Sequence, residues 1–152
     1  MAKISKEEKE ANFQKYNQII LDIFFESGWH CVTYDNIAKV AGVRKSTLQG
    51  YYESNKEFAH ALRGKVFPIF AEQLDFSSKE ALTESWHQSL SVKHFRYILN
   101  MLIANSTLPE PSDMTVNGMS NLIKMVDGHF PGEGREVVEG LLGKTILTLL
   151  DV

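Results

Sequence analysis

The chain has 152 residues, 43% of them hydrophobic and 23% charged, with one cysteine and a formal net charge of −3. That length can bury a sizeable core without staples, and the composition excludes wholesale disorder. Cys31 alone excludes a disulfide scaffold or a cysteine-based zinc module, and a reducing cytoplasm fits best. No apolar run is long enough for a membrane span, and the start, Met1-Ala-Lys-Ile-Ser-Lys-Glu-Glu-Lys-Glu, carries no secretory signal pattern. The charge is unevenly spread. Residues 1–65 hold 10 Lys/Arg against 8 Asp/Glu, and residues 66–152 hold 6 against 11. A relatively basic head on an acidic body suits a split of labour.

In chain order the elements read as helices, with no convincing period-two alternation. Phe13, Tyr16, Ile20, Ile23 and Phe24 form one helical stripe, closed by Gly28. Thr33 suits the cap of a short second helix with Ile37 and Ala41 inside, ended by Gly42. A third short helix spans about Lys45 to Tyr52. A longer fourth is expected to carry Ala59, Leu62, Val66, Ile69 and Phe70, kinked by Gly64 and Pro68. Ser77-Ser-Lys-Glu80 has capping-box spacing ahead of Leu82 and Trp86. Ser91 is the expected cap of a sixth helix with Phe95, Ile98, Leu99, Leu102 and Ile103. Pro109-Glu-Pro111 breaks the chain, Val116, Met119, Ile123 and Val126 make a seventh stripe, and Pro131-Gly-Glu-Gly134 is a loop. Val138, Leu141, Leu142, Thr145 and Leu149 form an eighth stripe.

The informative stretch is Thr33-Tyr-Asp-Asn-Ile-Ala-Lys-Val-Ala-Gly-Val-Arg-Lys-Ser-Thr-Leu48. Ala38 and Ala41 are small enough for a second helix to cross closely. Gly42 permits a left-handed turn, and Val43 and Leu48 can plug the space between. That is a helix-turn-helix, whose second helix lies in the DNA major groove. Arg44, Lys45, Ser46, Thr47 and Gln49 supply donors on and beside that helix.

Residues 19–58 resemble the DNA-binding head of the TetR/AcrR family of bacterial transcriptional regulators. The resemblance rests on Ile20-Leu-Asp-Ile-Phe-Phe-Glu-Ser-Gly28, Thr33, Asn36-Ile-Ala-Lys-Val-Ala-Gly-Val43, Lys45-Ser-Thr-Leu48, Tyr51-Tyr52 and Lys56-Glu57. It implies an all-α fold: a three-helix head over residues 1–57 and a helical ligand-binding and dimerisation body over 58–152. It also implies a homodimer joined by the C-terminal helices, a double-stranded palindromic operator, and a small-molecule effector whose binding releases DNA. The expected DNA-contacting residues are Thr33, Arg44, Lys45, Ser46, Thr47, Gln49, Tyr51 and Lys56, with Tyr52 in the core. Lys3, Lys6, Lys9 and Lys15 are either a plain charged helix face or an arm that adds counterion-release affinity.

Three features depart from the family pattern. Gln49 stands where the family usually has a phosphate-gripping tyrosine, Gly50 weakens the helix, and Glu53-Ser-Asn-Lys56 is one residue longer than usual. The chain is also shorter than most members, so the body is expected to lack one or more helices. These departures motivate a second reading, a non-DNA-binding helical interaction protein that heterodimerises with a related regulator. Phe67, Phe70, Trp86, Phe95, Met101, Met119 and Met125 could line an effector cavity, but ordinary core packing is the leading reading for each one taken singly. Gly140 and Gly143 would let two helix backbones approach. Cys31 beside His30 reads as a buried structural thiol before a redox one. No metal-ligand spacing, nucleophile–base pairing or phosphate-cradling loop is visible, so neither cofactor nor catalysis is expected.

Overall fold

The computed structural model describes residues 3–152. They form α1 (Lys6–Ser27), a 3-10 segment (Trp29–Cys31), α2 (Tyr34–Ala41), α3 (Lys45–Gln49) and a second 3-10 segment (Asn55–Leu62). These are followed by α4 (Val66–Glu72), α5 (Lys79–Ser89), α6 (Lys93–Ser106), α7 (Asp113–His129) and α8 (Gly134–Leu149). No strand occurs among the described residues, so the fold is all-α. The chain divides into two compact units, residues 1–65 and 66–152.

In the first unit α1 packs against α2 and both 3-10 segments. Its stripe of Tyr16, Ile20 and Phe24 is buried together with Ile37, Leu48, Tyr52, Phe58 and Leu62. Ser5 starts α1 by accepting from the Glu8 amide, and Glu7 and Glu8 complement the positive end of the helix dipole. Gly28 ends α1 at φ 95°, a backbone that other residues rarely adopt. Gly42 ends α2 at φ 69°, and the Val43 amide reaches back to the Ala38 carbonyl at 3.1 Å. This left-handed closure brings the Gly42 and Val43 amides to the one Ala38 carbonyl and turns the chain into α3.

In the second unit α4 packs on α6, α6 on α7, α7 on α8, and α5 on α8. Its centre is a ring cluster. Phe70 and Phe95 stack with centroids 4.4 Å apart, and Trp86 meets them edge-on at 5.4 and 5.2 Å. The Trp86 indole N–H donates to Thr145 Oγ1 at 2.7 Å, and the Thr145 hydroxyl donates to the Leu141 carbonyl at 2.7 Å. The turn between α7 and α8 is tight: the Gly134 amide donates to Asp127 Oδ1 at 2.9 Å. A Cβ on Gly134 would lie 2.6 Å from the Ile123 carbonyl oxygen, so only glycine fits there.

Four local expectations are corrected. The fourth helix is not one kinked rod. Gly64 at φ 74° separates the 3-10 segment from α4, and Pro68 lies in the first turn of α4, where its missing N–H costs nothing. The third helix stops at Gln49 rather than Tyr52, with the Tyr51 and Tyr52 amides both turning back to the Leu48 carbonyl. Ser78, not Ser77, caps α5, accepting from the Ala81 amide. Val92 precedes α6 with no side-chain cap, so Ser91 does not serve; its hydroxyl donates to the Gln88 carbonyl instead.

Candidate nucleic-acid interface

The interface builds from α2 and α3. Thr33 caps α2, its Oγ1 accepting from the Asn36 amide at 3.1 Å, while the Asn36 side chain donates to the Cys31 carbonyl at 2.8 Å. The two bonds fix the direction in which α2 starts. The Tyr34 hydroxyl then ties that first turn to the Tyr52 carbonyl at 2.7 Å. On α3 only Leu48 is buried, and it anchors the helix in the core at 0% exposure. Arg44, Lys45, Ser46, Thr47 and Gln49 are all exposed. The donors are therefore open to solvent around a short helix anchored by Leu48. The Lys45 ammonium stands 3.6 Å from the Asp35 carboxylate, both largely exposed. An exposed pair of this kind is weak.

Tyr51 and Tyr52 divide as expected in burial. Tyr52 is buried and its hydroxyl donates to Asn17 Oδ1 at 2.6 Å. Burial, reinforced by the neighbouring Tyr16, pushes its ionisation above that of an ordinary phenol. Tyr51 is half-buried. Its ring meets Tyr16 edge-on at 5.0 Å and lies parallel to Phe13 at 6.5 Å, and its hydroxyl accepts from the Asn12 amide group at 3.2 Å. Lys9 rests over the same ring, 5.6 Å from its centroid. Lys56 is exposed at the start of the second 3-10 segment. Sequence reasoning did not single out Asn12, Asn17 or Tyr34. The signal available for the asparagines was two amides on α1, five apart, on a helix that meets two consecutive tyrosines. Cys31 is partly exposed rather than buried, at the end of the first 3-10 segment.

The residues expected around an effector cavity separate into two sets. Phe70, Trp86 and Phe95 are at most 3% exposed and in mutual contact, so here they are core. Phe67, Met101, Met119 and Met125 are partly exposed. A surface groove of about 600 Å³ lies elsewhere in this unit, lined by Lys79, Glu80, Thr83, Glu84, His87, Lys144 and Thr148. Lys79 is paired with Glu133 at 2.7 Å, which raises the ionisation of the ammonium. Gly140 and Gly143 lie exposed on α8 with open space where side chains would stand. Among the described residues no group of three His, Cys, Asp or Glu could hold a metal, and no helix is long and apolar enough to cross a membrane.

A helix-turn-helix unit followed by an all-helical unit defines a class of two-part α proteins. Residues 63–149, more than half of the chain, match the family described as the tetracycline repressor LuxT C-terminal domain, and the chain belongs to that family. It is thereby a regulator of the tetracycline repressor type. No curated protein matches the chain.

Proposed function

We propose that this protein is a dimeric, DNA-binding transcriptional repressor that responds to a small-molecule effector. The carrying observation is the exposed surface of α3, with Arg44, Lys45, Ser46, Thr47 and Gln49 outward and Leu48 alone inward. Arg44 and Gln49 have the chemistry for bidentate base reading, Arg to guanine and Gln to adenine. Thr33, Tyr51 and Lys56 are the phosphate ligands that position the helix. The start of α2, which Thr33 caps, is by its helix dipole a favourable place for a phosphate.

Dimerisation through α7 and α8 is supported by exposed apolar side chains there: Val116 on α7, and Ile146, Leu147 and Leu149 on α8. Gly143, Ile146 and Leu147 recur at helical spacing beside Gly140 on one face of α8, and the exposed Leu150 follows at its C-cap. Such a contiguous face is expected to be covered by a partner. Two-fold pairing would present two α3 helices to half-sites about 34–36 Å apart, or a multiple of that. The effector acts by its differential affinity for the DNA-competent state and its alternative.

Selection from a random duplex pool at two salt concentrations tests this reading. An enriched palindrome with a steep salt slope, weakened by Arg44→Ala and by Gln49→Ala, is the expected result. Absence of enrichment would replace it with the interaction-protein reading. The five-residue length of α3, ending before Gly50, is the observation that favours that second reading.

A further inference from the structure

Lys9 is held in place by a residue outside its own helix. Its ammonium stands 5.6 Å from the centroid of the Tyr51 ring. An exposed lysine otherwise sweeps a wide volume, and the electron-rich ring face restricts it. The positions three and four away are Ser5, Lys6, Asn12 and Phe13, none of them acidic, so the carboxylates of α1 (Glu7, Glu8 and Glu10) stand at spacings that do not face Lys9. The ring is fixed in turn. Phe13 and Tyr16 flank it, and the Asn12 amide donates to its hydroxyl oxygen at 3.2 Å. With Asn12 as donor, the hydroxyl keeps its own proton for another acceptor. An ammonium and a phenol O–H thus stand on one ring, two residues past Gln49 at the end of α3.

We propose that Lys9 and the Tyr51 hydroxyl together grip one backbone phosphate beside the groove that α3 enters, with Asn12 as the residue that positions the hydroxyl. The inference rests on the DNA-binding reading above and deepens it, adding a contact from α1 to those of α2 and α3. The chemistry suits a phosphate diester: one charge to neutralise, and acceptor oxygens for two donors of different type. The contact carries no sequence information. Its role is to fix the angle at which α3 is presented, through the rigid α1–Tyr51 pairing.

The test uses the full chain and a generic duplex, because a phosphate contact is independent of sequence. Binding constants are measured across a salt series for the wild type, Lys9→Gln, Lys9→Arg, Tyr51→Phe and Lys15→Gln. Lys9→Gln is expected to lower affinity severalfold and to reduce the slope of log K against log salt by about 0.9, the loss of one phosphate contact. Lys9→Arg should restore the slope. Tyr51→Phe keeps the ring under Lys9, so affinity should fall while the slope stays. Lys15→Gln, which removes an equal charge elsewhere on α1, should leave the slope closer to wild type than Lys9→Gln does. Lys9 is exposed, and an unchanged melting temperature in Lys9→Gln confirms that folding is not the cause. Equal slopes for wild type and Lys9→Gln would overturn the proposal and leave the α3 reading standing. Equal losses in Lys9→Gln and Lys15→Gln would reduce the effect to net charge and overturn it as well. A wild type that binds no duplex at any salt concentration would overturn both.

Discussion

Replacing Thr145 with valine isolates one buried hydrogen bond. Trp86 and Thr145 are 1% and 0% exposed, and the indole N–H donates to the threonine hydroxyl at 2.7 Å. Valine has nearly the same shape but no acceptor, so the indole N–H is left unpaired in the core at a cost of about 1–3 kcal/mol. The Leu141 carbonyl also loses a donor, but it keeps its place in the α8 ladder and is not orphaned. Thr145→Ser retains the acceptor and removes one methyl group, for about 1 kcal/mol. Valine should therefore cost more than serine, although it fills more of the site. In a unit of this size each kcal/mol lowers the melting temperature by roughly 4–8 °C, so thermal unfolding followed by circular dichroism resolves the order. Trp86→Phe completes the cycle. Without the indole N–H, Thr145→Val should become nearly neutral, giving a coupling on the order of 1 kcal/mol or more. A Thr145→Val variant as stable as wild type, or a coupling near zero, would refute the account of Thr145 as the tryptophan's partner.

Gly134→Ala should destabilise the second unit by about 1–3 kcal/mol or more, read as a lower urea midpoint, because the new methyl would press against the Ile123 carbonyl and Asp127. The first unit should weaken in alkali. Tyr52 holds its proton above the ordinary phenol value of 10.0, chiefly by burial, so above that pH the unfolded chain binds fewer protons than the folded one and stability falls as pH rises. Tyr52→Phe should flatten that slope while costing about 1 kcal/mol at neutral pH through its lost bond to Asn17; urea midpoints between pH 8 and 11 decide, and an unchanged slope would assign it to other groups. Thr33→Asp keeps an N-cap acceptor and should leave stability within about 0.5 kcal/mol of wild type. The added charge should nonetheless weaken duplex binding, whereas Thr33→Ala should lose about 1 kcal/mol of stability in thermal melts.

Where one residue type has one physical solution, the sequence was informative. Gly42 between two short amphipathic runs dictates a left-handed turn, and the observed φ of 69° follows. Where two solutions share a pattern, spacing could not choose. Gly64 and Pro68 suit a kinked helix as well as a break followed by a fresh start, and the left-handed Gly64 settles for the break. Adjacent serines at 77 and 78 both satisfy capping logic, and a one-residue difference in where α5 begins selects Ser78. Phe70, Trp86 and Phe95 have the same periodicity whether they line a cavity or fill one. Partners distant along the chain left no local trace. Thr145 lies 59 residues from the tryptophan it serves, and periodicity marks only its face. Tyr51 likewise promised a phenol at the end of α3, while the lysine above it and the amide behind it come from another helix.

The closed ring cluster would constrain how the proposed effector acts. Phe70 and Phe95 stack at an interplanar angle of 4°, and Trp86 is locked to α8 through Thr145. A ligand seated among these rings must first part them, at about 1.5–3 kcal/mol for each aromatic side chain withdrawn from the core. An open state lying about 4 kcal/mol above the closed one is populated at roughly 0.1%, and apparent affinity falls by the same factor. That penalty couples binding to conformation, because the ligand then binds only the rearranged unit. A ligand in the open groove beside Lys79, His87 and Lys144 would face no such cost, and would meet the core only through α5 and α8, the helices that the Trp86–Thr145 bond joins. Differential affinity between two states, not tightness, is what moves an equilibrium. If the proposed effector acts by parting the rings, it gains that coupling at the expense of affinity.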